Sequence, residues 1–263
     1  MLRCPERVAL AFGALLLLPF PALAITGASF SESGTYQRPA GEPGSFRIGS
    51  GGLVEEIEAF LAGPGDALAA QLSQQPPPAG LSLAFRSELS PDGTDLRLVY
   101  DVTNIGTEML ASLTFVSFID AEIDETLNTF FNEFAETTGA LAPGQSFEVD
   151  EPGFAFGDIF ANARRASLDG TNAVPASAPD DVSMALSFTV ADLAPGQIAR
   201  FVLMLSEDGD SLGSFAIRHR DSDPRSDTVI PFSGTASIVP EPGTAALLAL
   251  GAATLALRRR RAG

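Results

Sequence analysis

The apolar residues of this chain change their spacing near residue 81. Between residues 53 and 61 they recur three or four positions apart, as in a helix with one buried face: Leu53, Val54, Ile57, Phe60 and Leu61. Asp66 would cap a second short helix before the three prolines at residues 76–78. The pattern therefore predicts helices over residues 53–72, after an irregular lead-in with one edge strand at residues 44–48.

From Leu81 onward apolar and polar residues alternate, which is the spacing of β-strands. Residues 81–85 and 96–102 flank Pro91-Asp92-Gly93 and therefore predict a hairpin. Further strands are predicted at residues 110–118, 147–149, 182–190, 198–205, 215–218 and 228–238. Many short strands separated by turn residues indicate a mainly β fold, an antiparallel β-sandwich of the immunoglobulin-like or jelly-roll-like kind.

Two segments between these strands keep a helical spacing. The phenylalanines around Phe130 predict a short inserted helix over residues 124–138, and Ile159 with Ala163 predicts another over residues 156–168. Because insertions between strands often carry function, the central part of the chain is where we expect any specialised site.

One pentapeptide occurs twice, as Leu141-Ala142-Pro143-Gly144-Gln145 and as Leu193-Ala194-Pro195-Gly196-Gln197. Proline fixes the first central residue of a turn and glycine supplies a positive φ at the next, so both copies predict type II turns. Together with Val102-Thr103-Asn104-Ile105-Gly106, this pattern resembles bacterial immunoglobulin-like surface modules.

The N-terminal 24 residues have the order of a secretory signal peptide. Arg3 and Arg7 precede an apolar core, and Ala22-Leu23-Ala24 ends the segment, so signal peptidase is expected to cleave after Ala24. Cys4 is the single cysteine of the chain and lies inside this segment. The mature protein is therefore expected to contain no thiol, which excludes disulfides and zinc–thiolate sites.

The C-terminal 25 residues combine three parts in a fixed order. Val239-Pro240-Glu241-Pro242-Gly243-Thr244 is followed by an apolar run at residues 245–257 and by four arginines at residues 258–261. The prolines keep the motif extended, and the run is shorter than the roughly 20 residues of a full membrane span. The arginines would hold the end of the chain on the cytoplasmic side.

This tail resembles the PEP-CTERM sorting signal of Gram-negative bacteria, in which Pro240, Glu241 and Pro242 would form the sorting motif. The resemblance implies that an exosortase recognises and cuts the tail after the protein has crossed the inner membrane. Residues 244–257 would hold the chain in that membrane transiently. After processing, the protein would lie at the cell surface or in the extracellular matrix.

We therefore divide the chain into a signal peptide, an N-terminal lead-in, a sandwich domain and a sorting signal: residues 1–24, 25–80, 81–238 and 239–263. The whole chain carries 16 arginines and 33 acidic residues, and no lysine. Six of the arginines and two of the acids belong to the two terminal signals, which leaves 10 arginines and 31 acids, a charge of −21. Such a surface repels nucleic acid and makes cations plausible partners.

Carboxylates concentrate between residues 120 and 181, and they are the oxygen ligands that Ca²⁺ prefers. The sequence predicts a Ca²⁺ site built from carboxylates of this segment: Asp120, Glu122, Asp124, Asp150 and Asp158. Asp180-Asp181 belongs to the same set, whereas Asp208-Gly209-Asp210 supplies only a fragment of a calcium loop. No cofactor other than Ca²⁺ is expected.

Catalytic chemistry has little support in the sequence. His219 is the only histidine, and its flanking arginines predict an exposed residue at a strand end. The sequence does not show the carboxylate spacing that glycoside hydrolysis requires. We expect a structural or adhesive surface protein rather than an enzyme; the alternatives are a carbohydrate- or Ca²⁺-binding module that contacts extracellular polysaccharide and, third, a secreted hydrolase.

Overall fold

The fold is taken from a computed structural model that describes residues 25–28, 30–37, 46–49, 51–123, 129–153 and 156–240. Several predicted features lie outside these described residues. They are the signal peptide with Ala24, the proposed ligand Asp124, and the tail from Glu241, which includes Pro242 and the apolar run.

Within the described ranges the chain forms thirteen strands, one short 3₁₀-helix at Phe130–Asn132 and one α-helix, α1, at Ile159–Arg164. In chain order the strands are β1 (Tyr36–Gln37), β2 (Arg47–Ile48), β3 (Gly52–Ala62), β4 (Ala70–Gln71), β5 (Leu81–Leu89), β6 (Asp95–Asn104), β7 (Leu110–Ile123), β8 (Glu133–Gly139), β9 (Gln145–Asp150), β10 (Ser183–Leu193), β11 (Ile198–Ser206), β12 (Phe215–Asp221) and β13 (Val229–Val239).

The strands form two antiparallel sheets. The seven-stranded sheet has the order β1-β3-β7-β10-β9, with β2 and β4 also paired to β3. The six-stranded sheet has the order β5-β6-β11-β13-β12-β8. This arrangement confirms the predicted mainly β, antiparallel, sandwich-like fold, whereas the likeness to immunoglobulin-like modules stays a prediction.

The main core lies between the two sheets and is built from alternate residues of their strands. Phe115 of β7 stacks on Phe201 of β11, with ring centroids 4.8 Å apart and planes 14° from parallel. Tyr100 of β6 also packs against Phe115, with centroids 4.7 Å apart. All three rings are fully buried, so these aromatic contacts join the six-stranded to the seven-stranded sheet.

A second apolar cluster covers the outer face of the seven-stranded sheet. Phe160 of α1 contacts Phe60 of β3 and Phe118 of β7, with ring centroids 5.5 and 5.2 Å apart. Ile159 and Ala163 of the same helix are also fully buried in this cluster. The helix predicted within residues 156–168 is therefore confirmed in its central part, and its role is to cover this sheet.

The predicted helices over residues 53–72 are wrong. Gly52–Ala62 is strand β3, which lies between β1 and β7, and Ala70–Gln71 is the short strand β4. A β-bulge between Val54 and Glu56 inserts one extra residue, so Val54 and Ile57 both face the main core although they are three positions apart. The bulge, together with Phe60, which is buried against α1 on the opposite face of the sheet, produced the helix-like spacing.

The predicted helix over residues 124–138 is also wrong in its described part. Phe130–Asn132 forms one 3₁₀ turn, and Glu133–Gly139 is strand β8, at the edge of the six-stranded sheet. The strand is specified by its pairing with β12, about 80 residues further along the chain. The spacing of apolar residues within one segment contains no information about such a distant partner strand.

Both copies of the repeated pentapeptide form the predicted turns. The amide of Gln145 donates to the carbonyl of Ala142 at 2.9 Å, and Gln197 bonds Ala194 in the same way at 3.0 Å. Gly144 and Gly196 have φ of 77° and 81°, the positive values that a type II turn requires. Among the described residues, no helix has the length and apolar character needed to cross a membrane.

Candidate functional site

Carboxylates gather at one end of the sandwich, where β7 and β9 finish and β10 begins. We call this the acidic end, and on the seven-stranded sheet it is defined by Glu56, Asp120, Glu122, Glu148, Asp150, Asp158 and Asp181. The end is produced by the register of four neighbouring strands, and the residues come from distant parts of the chain.

The central feature is a carboxylate row that consists of Glu56, Asp120 and Asp150. Glu56 of β3 lies opposite Asp120 of β7, Asp120 lies opposite Ser183 of β10, and Ser183 lies opposite Asp150 of β9. Residues opposite each other in adjacent strands point to the same face, so the three acids share the outer face of this sheet. The hydroxyl of Ser183 donates to Asp120 Oδ1 at 2.8 Å.

The first carboxylate group consists of Asp120, Glu122 and Asp181, which each place one carboxylate oxygen within 4.8 Å of the others. Asp120 and Glu122 are buried. Burial raises the pKa of Asp120 to about 7; the Ser183 hydrogen bond opposes this rise, and the nearby charge of Asp181 adds to it. Burial also raises the pKa of Asp181 to about 6, with a further contribution from Asp180. Full ionisation of this group is therefore unfavourable at neutral pH.

The second carboxylate group consists of Glu148, Asp150 and Asp158, again with one oxygen each within 4.8 Å of the others. Asn162 of α1 donates to Glu148 Oε1 at 2.9 Å and to Asp158 Oδ1 at 3.0 Å, which holds two of the three acids in place. The amide of Asp158 donates to Asp150 Oδ2 at 2.8 Å. Burial raises the pKa of Glu148 to about 7 against the hydrogen bonds it accepts.

Sequence reasoning selected four of these carboxylates and missed others. Asp120 and Glu122 do come together, and so do Asp150 and Asp158, but the two pairs belong to different groups. The missing partner of the second pair is Glu148. The predicted strand at residues 147–149 ended one residue too early; β9 continues to Asp150, and residues two positions apart on a strand share one face.

Both groups offer only oxygen donors, which is the donor set that Ca²⁺ and Mg²⁺ prefer over softer metals. Three carboxylates provide part of the six to eight oxygen ligands of Ca²⁺, and carbonyls and water would supply the rest. A divalent ion could replace the protons that the raised pKa values favour, because both relieve the repulsion between neighbouring carboxylates.

The only histidine of the chain lies inside the same end of the molecule, which corrects the prediction that it is exposed. His219 of β12 is fully buried, and its Nε2 lies 2.7 Å from Oε2 of Glu133 in β8. Oε1 of Glu133 accepts a hydrogen bond from the amide of Ile123 at 2.6 Å. Burial lowers the pKa of His219 to about 3, although Asp181 and Asp221 favour its protonation. The imidazole is therefore neutral at physiological pH.

Comparison with known proteins identifies the C-terminal tail. The sequence profile of the PEP-CTERM protein-sorting motif matches residues 239–261, which confirms the recognition made from the tail's three parts. No curated protein and no solved structure matches the chain. The motif indicates an exported protein that is sorted by an exosortase and later lies at the surface or outside the cell.

Proposed function

We propose that this protein is a structural or adhesive component of the cell envelope or the exopolysaccharide matrix, placed there by export and exosortase processing. The sorting motif supports the route. The acidic end of the sandwich supports the role, because clustered carboxylates can bind divalent cations and, through them, anionic polysaccharide. We propose no catalytic role for the protein.

The sorting tail leaves the sandwich at the end opposite to the acidic end. The last residue of β13, Val239, pairs with Ile198 at the start of β11, and Pro240 follows it directly. The other end of β13 pairs with Arg220, next to Asp221 at the acidic end. The ten steps between the eleven residues of β13 span roughly 33 Å at about 3.3 Å each. The acidic end therefore stays available to partners while the tail is held by the membrane or the exosortase.

The observation that carries the proposed cation binding is the carboxylate row across β3, β7 and β9. Burial raises the pKa of Glu56 to about 7, and the charge of Glu58 adds to the effect. Asp120, opposite Glu56, shows the same rise. A fold that places these acids side by side in a partly dry environment gains stability from a bound divalent ion. We propose Ca²⁺ at the first and second carboxylate groups.

Bound Ca²⁺ would also explain how a protein with so many acids could adhere to an acidic matrix. Without a cation, the carboxylates of the protein and those of a uronic-acid polysaccharide repel each other. Calcium accepts six to eight oxygen ligands, so an ion held by three protein carboxylates has positions left for sugar oxygens. In this proposal the cation bridges the two surfaces.

The export route is tested on the protein recovered from cells of the producing bacterium. Intact mass spectrometry is expected to show a surface form that starts after Ala24 and lacks Arg258–Arg261. Replacing Pro240, Glu241 and Pro242 together with alanine should leave the uncut form in the membrane. A surface form that retains the four arginines would contradict exosortase processing.

Cation bridging is tested by retention of the purified mature protein on an immobilised uronic-acid polysaccharide. Retention is expected with Ca²⁺, and it should be lost with a chelator or when neutral dextran replaces the acidic polymer. The variant D120N/E122Q should be retained less than the parent. The matched control E32Q/E108Q removes two exposed charges away from the carboxylate groups and should bind like the parent. Equal retention of both variants would contradict the proposal.

A further inference from the structure

Two loops of the six-stranded sheet lie side by side at the acidic end of the molecule. The first is the turn between β5 and β6, and the second follows β11. Asp95, the first residue of β6, lies opposite Ser206, the last residue of β11. The amide of Glu207 donates to the carbonyl of Thr94 at 2.9 Å, so the backbones of the two loops are joined directly.

This contact creates a third carboxylate group, which consists of Asp95, Asp208 and Asp210. Each of the three places one carboxylate oxygen within 4.8 Å of the others. Asp95 begins β6 directly after the first loop, and the other two residues come from the second loop. The group belongs to a different sheet from the first and second carboxylate groups and shares no residue with them.

The buried member of this group lacks a partner. Asp95 is only 8% exposed, and its Oδ1 has no hydrogen-bond partner among the described residues. Burying a carboxylate oxygen without a hydrogen bond or a counter-charge is unfavourable. A carboxylate held in this way beside two others indicates that a cation completes the site.

The neighbouring polar groups hold Asp208 in position. The hydroxyl of Ser206 donates to Asp208 Oδ1 at 2.9 Å, and the amide of Asp210 donates to the same oxygen at 3.2 Å. The hydroxyl of Thr94 lies 3.2 Å from Asp208 Oδ2 and donates to it across the two loops. These three hydrogen bonds fix the Asp208 carboxylate beside Asp95 and Asp210.

We propose that Asp95, Asp208 and Asp210 bind a divalent cation, Ca²⁺ by their chemistry, which clamps the β5–β6 turn to the loop after β11. The donor set contains only carboxylate oxygens, which disfavours zinc and copper. The ligands differ in exposure and come from two separate segments, which suits the flexible coordination of Ca²⁺ better than the strict octahedron of Mg²⁺.

The clamp has a consequence for the N-terminal segment. The amide of Ile25 donates to the carbonyl of Gly93 at 2.8 Å, and Gly93 belongs to the β5–β6 turn. Ile25 is buried against the main core. Fixing the turn therefore also fixes the first described residue of the chain, which lies directly after the predicted signal-peptidase site.

The proposal is tested on the whole mature protein by calcium titration and hydrogen exchange. Isothermal titration measures how many Ca²⁺ ions bind, and amide exchange shows where. In the parent, Ca²⁺ is expected to slow exchange at least tenfold at the amides of Glu207 and Asp210. The variant D208N, which changes an exposed residue, should lose one equivalent of bound Ca²⁺ and this protection.

Two controls separate this site from the other carboxylate groups. The variant D120N/E122Q should keep the protection of the two loops, whatever happens to the rest of its calcium binding. The variant D192N changes an exposed aspartate near the other end of β10 and should behave like the parent. Mg²⁺ at the same concentration should protect the loops less than Ca²⁺.

The proposal is overturned if Ca²⁺ leaves loop exchange unchanged in the parent, or if D208N binds as much Ca²⁺ as the parent and keeps the protection. Should D208N unfold, D210N supplies the same comparison, because Asp210 is exposed as well. A parent protein that gains the loop protection with Ca²⁺ but is not retained on the uronic-acid polysaccharide would instead count against the proposed matrix function alone.

Discussion

His219 and Glu133 form a fully buried hydrogen-bonded pair, with Nε2 and Oε2 2.7 Å apart. The histidine belongs to β12 and the glutamate to β8, so both come from the six-stranded sheet. The second oxygen of Glu133 accepts a hydrogen bond from the amide of Ile123, at the end of β7 in the other sheet. The pair therefore ties the two sheets together at the acidic end.

Replacing His219 with phenylalanine should destabilise the fold, because the Glu133 carboxylate would lose one of its buried partners. We expect a loss of about 2–3 kcal/mol in the free energy of unfolding, the usual effect of removing a hydrogen bond to a buried charged group. Urea unfolding at pH 7 measures it. The double variant E133L/H219F should recover part of the loss, and a double variant worse than both single ones would contradict this account.

The same histidine should make stability fall in mild acid. Its pKa is about 3 in the folded protein, against 6.5 for an ordinary histidine. Between these pH values the unfolded chain binds a proton that the folded chain excludes. The contribution of neutral His219 to the free energy of unfolding is therefore complete above pH 6.5 and decreases below it. The slope is about 1.4 kcal/mol per pH unit for one group. The difference in stability between the parent and H219F should shrink as the pH falls from 7 to 5.

The carboxylate row should have the opposite effect on the pH dependence of stability. The pKa values of Glu56 and Asp120 are raised to about 7, so the folded protein binds protons that the unfolded chain has released. Their stabilising effect is complete below about pH 4 and is lost as the pH rises through 7. In chelator, the D120N variant should therefore lose less stability than the parent between pH 5 and 8.

Calcium should reduce this loss in the parent, because it replaces the protons between the carboxylates. An ion that binds only the folded state stabilises it by about 2.7 kcal/mol at a hundredfold excess over its dissociation constant. Melting temperatures at pH 8 with CaCl₂ and with NaCl of the same ionic strength separate binding from screening. Equal melting temperatures in the two salts would show that these acids bind no calcium.

The strands that could be predicted from sequence are those whose burial follows a strict alternation. β5 and β6 flank a turn of turn-forming residues, and their hairpin was located correctly. The helix prediction for β3 is wrong because the bulge after Val54 changes the period from two to three at one point and because Phe60 is buried on the outer face of the sheet. A bulge is stabilised by the neighbouring strand, and that neighbour, β7, lies about 60 residues further along the chain.

The candidate site was predictable in its residue types but not in its grouping. Asp120 and Asp150 were chosen because acids are frequent in this segment, and the structure places them in one row through Ser183. The register between paired strands decides which acids come together, and this register cannot be read from the sequence alone. The position of His219 was available, since Phe215, Ile217 and His219 alternate onto the core face. Arg218 and Arg220 lie on the opposite, more exposed face of β12, so they do not indicate the exposure of His219.

Tyr100 anchors the N-terminal segment to the core. Its hydroxyl donates to the carbonyl of Gly34 at 2.6 Å, and the ring is fully buried. The variant Y100F should lose about 1 kcal/mol, because one buried hydrogen bond disappears while the packing remains. G34A should cost more, since its Cβ would collide with the rings of Tyr100 and Phe85 and the residue has a φ of +77°. Urea unfolding of both variants gives the ranking, and a Y100F loss larger than that of G34A would be evidence against it.

The two copies of Leu-Ala-Pro-Gly-Gln allow a matched comparison of one substitution in one type of turn. Gly144 and Gly196 have nearly the same φ, 77° and 81°, so alanine at either position suffers the same backbone strain. That strain costs roughly 1–2 kcal/mol. The surroundings differ, because a Cβ at Gly144 would collide with the carbonyl oxygen of Thr189, whereas nothing lies within 4 Å of a Cβ at Gly196.

We therefore expect G196A to lose only the strain energy and G144A to lose roughly 1–3 kcal/mol more, the usual effect of forcing extra atoms into a packed site. The carbonyl of Gly144 accepts a hydrogen bond from the amide of Thr189 at 2.7 Å, so a shift that relieves the collision also weakens the contact between this turn and β10. Urea unfolding of the two variants measures the difference. G196N serves as a control, because asparagine tolerates a positive φ and should lose less than G196A. Equal losses in G144A and G196A would mean that the turn before β9 moves away from β10 without resistance.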